Sequence, residues 1–257
     1  MAAIKSKIKG SSDMKISIKI SYLFITLVVL TFLISCSDSV SYDNNTINVD
    51  YTTGQIRFIH SASSTGEIDI AYKDLDGTGF YSYVSAVDYG TQYGYSDFRT
   101  GERVFRIYIP NTNIFISDCI FNLEEDQKYS LIAYDYEAAL DTNILVLNDT
   151  LANVDQGYVL LRLIHLGADL PAITITDRDS SKIIADLDHL KHSRYLSLPA
   201  RTYNFDLKLK SSGEIVKALS PITLQSSQTY TAIISGSSDQ LTPIELNMKL
   251  YIDTSIQ

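Results

Sequence analysis

The sequence predicts an all-β protein built from two tandem antiparallel β-sandwich domains, and three observations lead there. From Gln55 onward, short runs alternate strictly between polar and apolar residues, as at 55–60, 67–72, 103–109 and 129–134. A period of two over about five to seven residues marks a strand with one buried face. Turn signals separate the runs, among them Asp76-Gly77, Tyr89-Gly90, Thr100-Gly101 and Pro110-Asn111. The second half then repeats the first. Arg57-Phe58-Ile59-His60 returns as Arg162-Leu163-Ile164-His165, and Gln127-Lys128-Tyr129 returns as Gln228-Thr229-Tyr230, at offsets of 105 and 101 residues. That period is too long for a solenoid and reads as duplicated domains.

The N-terminus is of another kind. Lys5, Lys7, Lys9, Lys15 and Lys19 precede an apolar run over 20–34, as the n-region and h-region of a secretory signal do. A membrane span needs about 20 apolar residues, more than this run supplies. It ends in Leu33-Ile34-Ser35-Cys36, a small residue directly before a cysteine. This resembles the bacterial lipobox, in which the cysteine is acylated and becomes the first residue of the mature chain. The expectation is a signal peptide over 1–35, lipid on Cys36, and a protein held at the bacterial outer membrane on its periplasmic or outer face. An uncleaved anchor helix is the alternative, and it leaves the same domains outside the cytoplasm.

The tether follows. Residues 36–54 are rich in Ser, Asp, Asn and Thr and read as a flexible spacer. The first sandwich is expected over 55–152 and the second over 157–250, with a short polar junction between them that limits their freedom. Helical periodicity is weak throughout. Residues 137–140 suit one turn, and 183–192 suit a short helix or an irregular connection. The whole chain has 18 Tyr, 9 Phe and no Trp, a composition that favours strands.

Charge excludes some partners. The 257 residues carry a net charge of −9, and residues 1–35 hold five Lys and one Asp, so the remainder carries −13. Phosphate backbones are bound by Lys and Arg clusters, so nucleic acid is not an expected partner. With Cys36 committed to lipid, Cys119 has no disulfide partner; its apolar neighbours suggest an inert core thiol.

The candidate functional residues are few. The tract Phe80, Tyr81, Tyr83, Tyr89, Tyr93, Tyr95 and Phe98 is too crowded for one buried strand face. Tyr81, Tyr83, Tyr89, Tyr93 and Tyr95 are the candidate contact residues, since exposed Tyr clusters serve protein or carbohydrate recognition. The competing reading packs half of the tract in the core or between domains. His60 and His165 end equivalent strands and are expected to bond the adjacent loop backbone. Arg57 and Arg162 lie on the opposite face, in a shared ion pair or a solvated position. Asp74 and Asp76 alternate as calcium-loop ligands do, yet a hairpin tip explains them, as it does Asp177, Asp179 and Ser180. His189 and His192 stand three apart near Asp186 and Asp188, a weak zinc pattern that a surface connection also explains. No nucleophile elbow, HExxH helix or phosphate-cradling loop occurs in the sequence. The sequence therefore predicts no enzyme and no cofactor.

Two segments resemble a known family. One is the strand Arg-x-Ile-His followed by a small-residue loop, clearest over 162–171 (RLIHLGADLP). The other is Leu198-Pro199-Ala200-Arg201-Thr202-Tyr203. Both are similar to the DUF4397 domains, found often in tandem in secreted and lipid-anchored bacterial proteins. The chain departs from the family pattern at Arg201, a frequent Gly, and at Ser63-Ser64-Thr65, which replace its Pro and Asp. The signal, the duplication and the Tyr-, Asn- and Asp-rich composition resemble proteins of Bacteroidota. The resemblance implies immunoglobulin-like sandwiches and no assigned activity. The expectation is a lipid-anchored envelope module that binds or scaffolds a protein or matrix partner; the alternative is a carbohydrate-binding accessory lipoprotein.

Overall fold

Eight strands build the first repeat: β1 (Thr53–His60), β2 (Ile68–Asp74), β3 (Tyr81–Val87), β4 (Gln92–Arg99), β5 (Gly101–Tyr108), β6 (Phe115–Leu123), β7 (Lys128–Tyr136) and β8 (Asp141–Asn148). They form two sheets, β4-β1-β7-β8 and β3-β2-β5-β6. The second repeat comprises β9 (Tyr158–Gly167), β10 (Ile173–Asp177), β11 (Lys182–Leu187), β12 (Leu196–Pro199), β13 (Thr202–Tyr203), β14 (Phe205–Leu209), β15 (Ile215–Ala218), β16 (Ile222–Thr223), β17 (Gln228–Gly236) and β18 (Asn247–Ile252). Its sheets are β12-β9-β17-β18 and β11-β10-β14-β15, with β13-β16 as a small extra ribbon. This computed structural model describes residues 51–136, 141–150, 152–239 and 243–253. The expected signal peptide, Cys36, most of the tether and the turn at 137–140 lie outside the described residues.

The fold is all-β, as two tandem sandwiches. One detail departs from the antiparallel expectation: β1 runs parallel to β7, and β9 runs parallel to β17. Each of these pairs is joined through the opposite sheet, and such a crossover lets two strands of one sheet point the same way. Residues 183–187 differ from the expected helix or irregular connection, while 188–192 do form an irregular connection. Ile183 and Ile184 enter β11, which pairs with β10 along Ile173–Asp177. Branched side chains suit that pleated surface better than a helix.

Each sandwich closes around its own core. In the first, Ile56, Phe58, Ile70, Phe105, Ile107 and Leu131 are all buried. In the second, Leu161, Leu163, Ile175, Phe205, Leu207 and Ala232 take the same places. A fully buried Ile, Leu or Phe contributes roughly 1.5–3 kcal/mol through water release alone. Alternation predicts one buried face for β1, yet Arg57 and Ile59 on its other face are at 0% exposure as well.

That second burial comes from the other repeat. A third cluster joins Ile59, Ile132 and Leu147 to Ile164, Leu166, Ile233 and Tyr251. The sheets β4-β1-β7-β8 and β12-β9-β17-β18 therefore meet face to face, and both repeats belong to one compact unit, Asp50–Gln257. At the end of β17, Gly236 holds φ of 89°, and a Cβ there would stand 2.6 Å from the Glu245 carbonyl oxygen. Only glycine fits so close an approach in that backbone region.

Candidate functional site

The most highly constructed region is the polar centre of the interface between repeats. On the interface face of β1, three residues before His60, Arg57 points away from its own core. Its Nε donates to Ser130 Oγ at 2.6 Å and lies 3.5 Å from Asp149 Oδ2. Its Nη1 crosses to the second repeat, donating to Asp253 Oδ1 at 2.7 Å and to the Ile252 carbonyl at 3.3 Å. Arg162 does the converse. Its Nη2 donates to Asp149 Oδ1 at 2.5 Å and its Nη1 to the Asn148 carbonyl at 3.2 Å. Ser130 and Tyr95 donate to Asp149 Oδ2, each at 2.6 Å, while Thr231 and Tyr195 donate to Asp253 Oδ2, each at 2.7 Å.

Every member has a counterpart in register. Ser130 stands beside Arg57 on β7 as Thr231 stands beside Arg162 on β17. Asn148 faces Tyr129 as Ile252 faces Tyr230, so the aspartates that follow are equivalent too. The arrangement is a pseudo-two-fold lattice in which each arginine reaches the carboxylate of the opposite repeat. All four charged side chains are at most 3% exposed. Burial alone would lower the Arg57 guanidinium, but Asp253 and Asp149 overcome it and hold it above its ordinary value. Burial pushes the Tyr95 and Tyr195 phenols up, with the nearby carboxylates adding to the shift, so both stay protonated donors.

Beside the lattice, the histidines fix turns. His60 Nε2 is 2.9 Å from the Gly66 carbonyl and its Nδ1 accepts from Ala62 N at 3.3 Å. His165 repeats this with Pro171 and Gly167 at 2.8 and 3.3 Å. Burial lowers both imidazoles, His165 to about 4, so they are neutral at pH 7.

The loops that follow are clamped by mirror-image chemistry. In the first repeat Asp135, on β7, accepts from Ser63 N and Oγ at 2.6 and 2.7 Å and from Ser64 Oγ at 2.5 Å. In the second, Asp169 sits in the loop and accepts from Ser238 N and Oγ at 2.9 and 2.6 Å, beyond the end of β17. The acid that the second repeat carries in the loop, Asp169, has its counterpart in the first repeat on the facing strand, as Asp135.

The five candidate tyrosines do not share one surface. Tyr81 is 65% exposed. The Tyr83 hydroxyl bonds the Ile56 carbonyl at 3.2 Å, with its ring edge-on to Phe98. Tyr89 crosses to the second repeat, its hydroxyl 2.8 Å from Ser235 Oγ. Tyr93 packs on the first core, and Tyr95 is a lattice member. The half-buried Cys119 thiol is pushed by desolvation up to about 12, which keeps it protonated and unreactive. Asp74 pairs with Arg103 at 2.9 Å. His189 stacks edge-on against His165 with centroids 5.5 Å apart. Among the described residues, no three His, Cys, Asp or Glu side chains are grouped to hold a metal.

Sequence reasoning placed the two arginines on the opposite face to the histidines but missed Asp149, Asp253, Ser130, Thr231 and Tyr195. Their signal was in the duplication: Tyr95 and Tyr195, and Asp149 and Asp253, recur at offsets of 100 and 104, close to that of the arginines.

Residues 54–176 match the model of the family described as a domain of unknown function, DUF4397. The matched segment starts in β1 and ends in β10, so it takes in Arg57, Asp149 and Arg162 together. A search of curated proteins returns no match. Among solved structures, the chain is similar to the TIE protein of Bacillus anthracis at 11% identity, covering 76% of this chain and 34% of that one, with a TM-score of 0.25. It is also similar to the tip fimbrial protein Mfa3 of Porphyromonas gingivalis, at 9% identity over 78% of this chain and 99% of that one, TM-score 0.22. For the fimbrial anchor protein Mfa2 of the same organism the values are 7%, 79%, 99% and 0.21. The chain spans about a third of the length of the first of these. Likenesses this distant carry no argument about what the chain does.

Proposed function

From the premise that residues 54–176 carry a DUF4397 domain, we propose that the protein is a lipid-anchored module of the bacterial envelope that binds or scaffolds a partner without catalysing a reaction. The observation that carries this reading is the buried lattice. Arg57, Asp149, Arg162 and Asp253 tie the two sandwiches into one body, although a tandem of independent domains needs no such bond. Separate domains in one chain ordinarily meet through modest, mobile interfaces. Here the contact is desolvated, and breaking one partner of a buried pair strands a charge. Such a body presents its outer surfaces at fixed spacing, which suits holding a partner. The lysine-rich apolar leader and Ser35-Cys36 supply the membrane attachment in this reading.

The test is protease shaving of intact cells with immunoblotting of the second repeat, beside a Cys36→Ala variant and a periplasmic control. Digestion on intact cells, with release of the variant from membranes, supports an anchored surface module. Protection until lysis moves the module to the periplasm. A Cys36→Ala variant that fractionates with membranes like the parent overturns lipid anchoring.

A further inference from the structure

The outer sheet of the first repeat, β3-β2-β5-β6, bears a feature its counterpart lacks. Arg106 on β5 lies between two aromatic rings, its guanidinium carbon 4.3 Å from the Phe80 centroid and 4.8 Å from that of Phe115. Asp118 pins it from the neighbouring strand, at 2.9 Å. Tyr108 closes the cluster edge-on to Phe80, centroids 6.4 Å apart. Across the sheet, Ala71 pairs with Arg106 and Ser82 with Ala71. Those two small side chains leave a groove of about 500 Å³ beside the aromatic wall. Phe115 remains 50% exposed.

The fold does not require these residues. Register places Asp206 where the first repeat has Arg106, Lys208 where it has Tyr108, and Ile215 where it has Phe115. The second sheet forms with none of the aromatic wall. An aromatic and arginine cluster on solvent that the sister domain dispenses with needs a reason other than folding.

Resting on the reading of a non-catalytic binding module, we infer that this groove is a binding site for a neutral carbohydrate. Its volume falls in the range of small-ligand sites, about 300–1,000 Å³, whereas a stable protein interface needs about 800 Å² from each partner. Its charges balance: Arg106 and the nearby Lys73 stand against Asp118 and Asp69, so an ion of either sign gains little. Donors and acceptors stand side by side next to an exposed ring. A sugar offers that combination, with an apolar C–H face for Phe115 and vicinal hydroxyls that both accept from Arg106 and donate to a carboxylate. Holding the guanidinium between two rings fixes its donors before the ligand arrives, which lowers the ordering cost of binding.

The experiment uses the purified chain beginning at the tether, against an array of neutral oligosaccharides of glucose, galactose, mannose and N-acetylhexosamines, with acidic glycans and peptides alongside. Hits are then titrated by calorimetry. We expect saturable binding that falls about tenfold or more in Phe115→Ala, is kept in Phe115→Tyr, and is unchanged in Ile215→Ala, the matching position of the second repeat. Thermal melts establish that each variant is folded. An array with no saturable binder overturns the inference, as does binding that Phe115→Ala leaves intact or that prefers acidic glycans or peptides. Either failure leaves the shaving result, and with it the anchored-module reading, untouched.

Discussion

The two repeats carry equivalent residues where they face each other and different ones where they face water. At the interface Arg57 and Arg162, Ser130 and Thr231, Tyr95 and Tyr195, Asp149 and Asp253 stand in matching register. On the outer sheets Arg106 opposes Asp206, and Phe115 opposes Ile215. Buried charges tolerate little change, because replacing one partner strands the other. Solvent-facing positions change at a cost usually within about 0.5 kcal/mol and so are free to diverge toward a task. The comparison teaches where the duplication kept a structural job and where it did not.

The strongest way to break that symmetry is at Asp149, which serves both arginines, while Asp253 pairs with Arg57 alone. Asp149→Ala is expected to lower unfolding stability by about 3–5 kcal/mol and Asp253→Ala by less, measured by urea denaturation. Equal losses would mean that the lattice is symmetric in energy although its ion pairs are not.

Lowering the pH comes next. His165 is depressed to about 4 in the folded chain from an ordinary 6.5, and His60 shifts the same way. Between those values the unfolded chain binds more protons than the folded one, so stability rises with pH. His165 therefore contributes stability that is present at pH 7 and lost as pH falls from about 6.5 to about 4. The expected loss is about 3 kcal/mol, read from urea midpoints at pH 7 and pH 4. His165→Gln should flatten that dependence; an unchanged profile would remove the histidine from the account.

A smaller contrast separates the two loop clamps. Asp135 is 2% exposed, whereas the Asp169 clamp lies at the exposed surface. Asp135→Ala should cost about 1–3 kcal/mol, and Asp169→Ala less, by the same denaturation assay. Smallest of all, Phe115→Ala is expected to change stability by no more than about 0.5 kcal/mol. A larger loss would give the outer aromatic wall a structural job after all.

Much of the fold was legible. Alternation located β1, β2, β5 and β7, and the repeated Arg-x-x-His and Gln-x-Tyr located the counterparts of β1 and β7 in the second half. The candidate site was less so. Tyr83, Tyr89, Tyr93 and Tyr95 look alike in sequence, yet one packs under a strand, one bridges the repeats, one lines the core and one donates to Asp149. A period of two says that a residue faces one side of a sheet; it does not say what covers that side. For the same reason alternation leaves Arg57 open between a shared ion pair and a solvated position, and only the packing of the sheets puts it at 0% exposure in the ion pair.

The sequence by itself determined the strand pattern, the duplication and the acidic character, because these follow from local periodicity and composition. Tertiary structure alone decided that the polar faces of β1 and β9 would meet, that Asp149 and Asp253 would answer the arginines across that contact, and that Phe80 and Phe115 would enclose Arg106. These are contacts between residues far apart in the chain, set by the mutual packing of sheets, and a linear pattern carries no term for them.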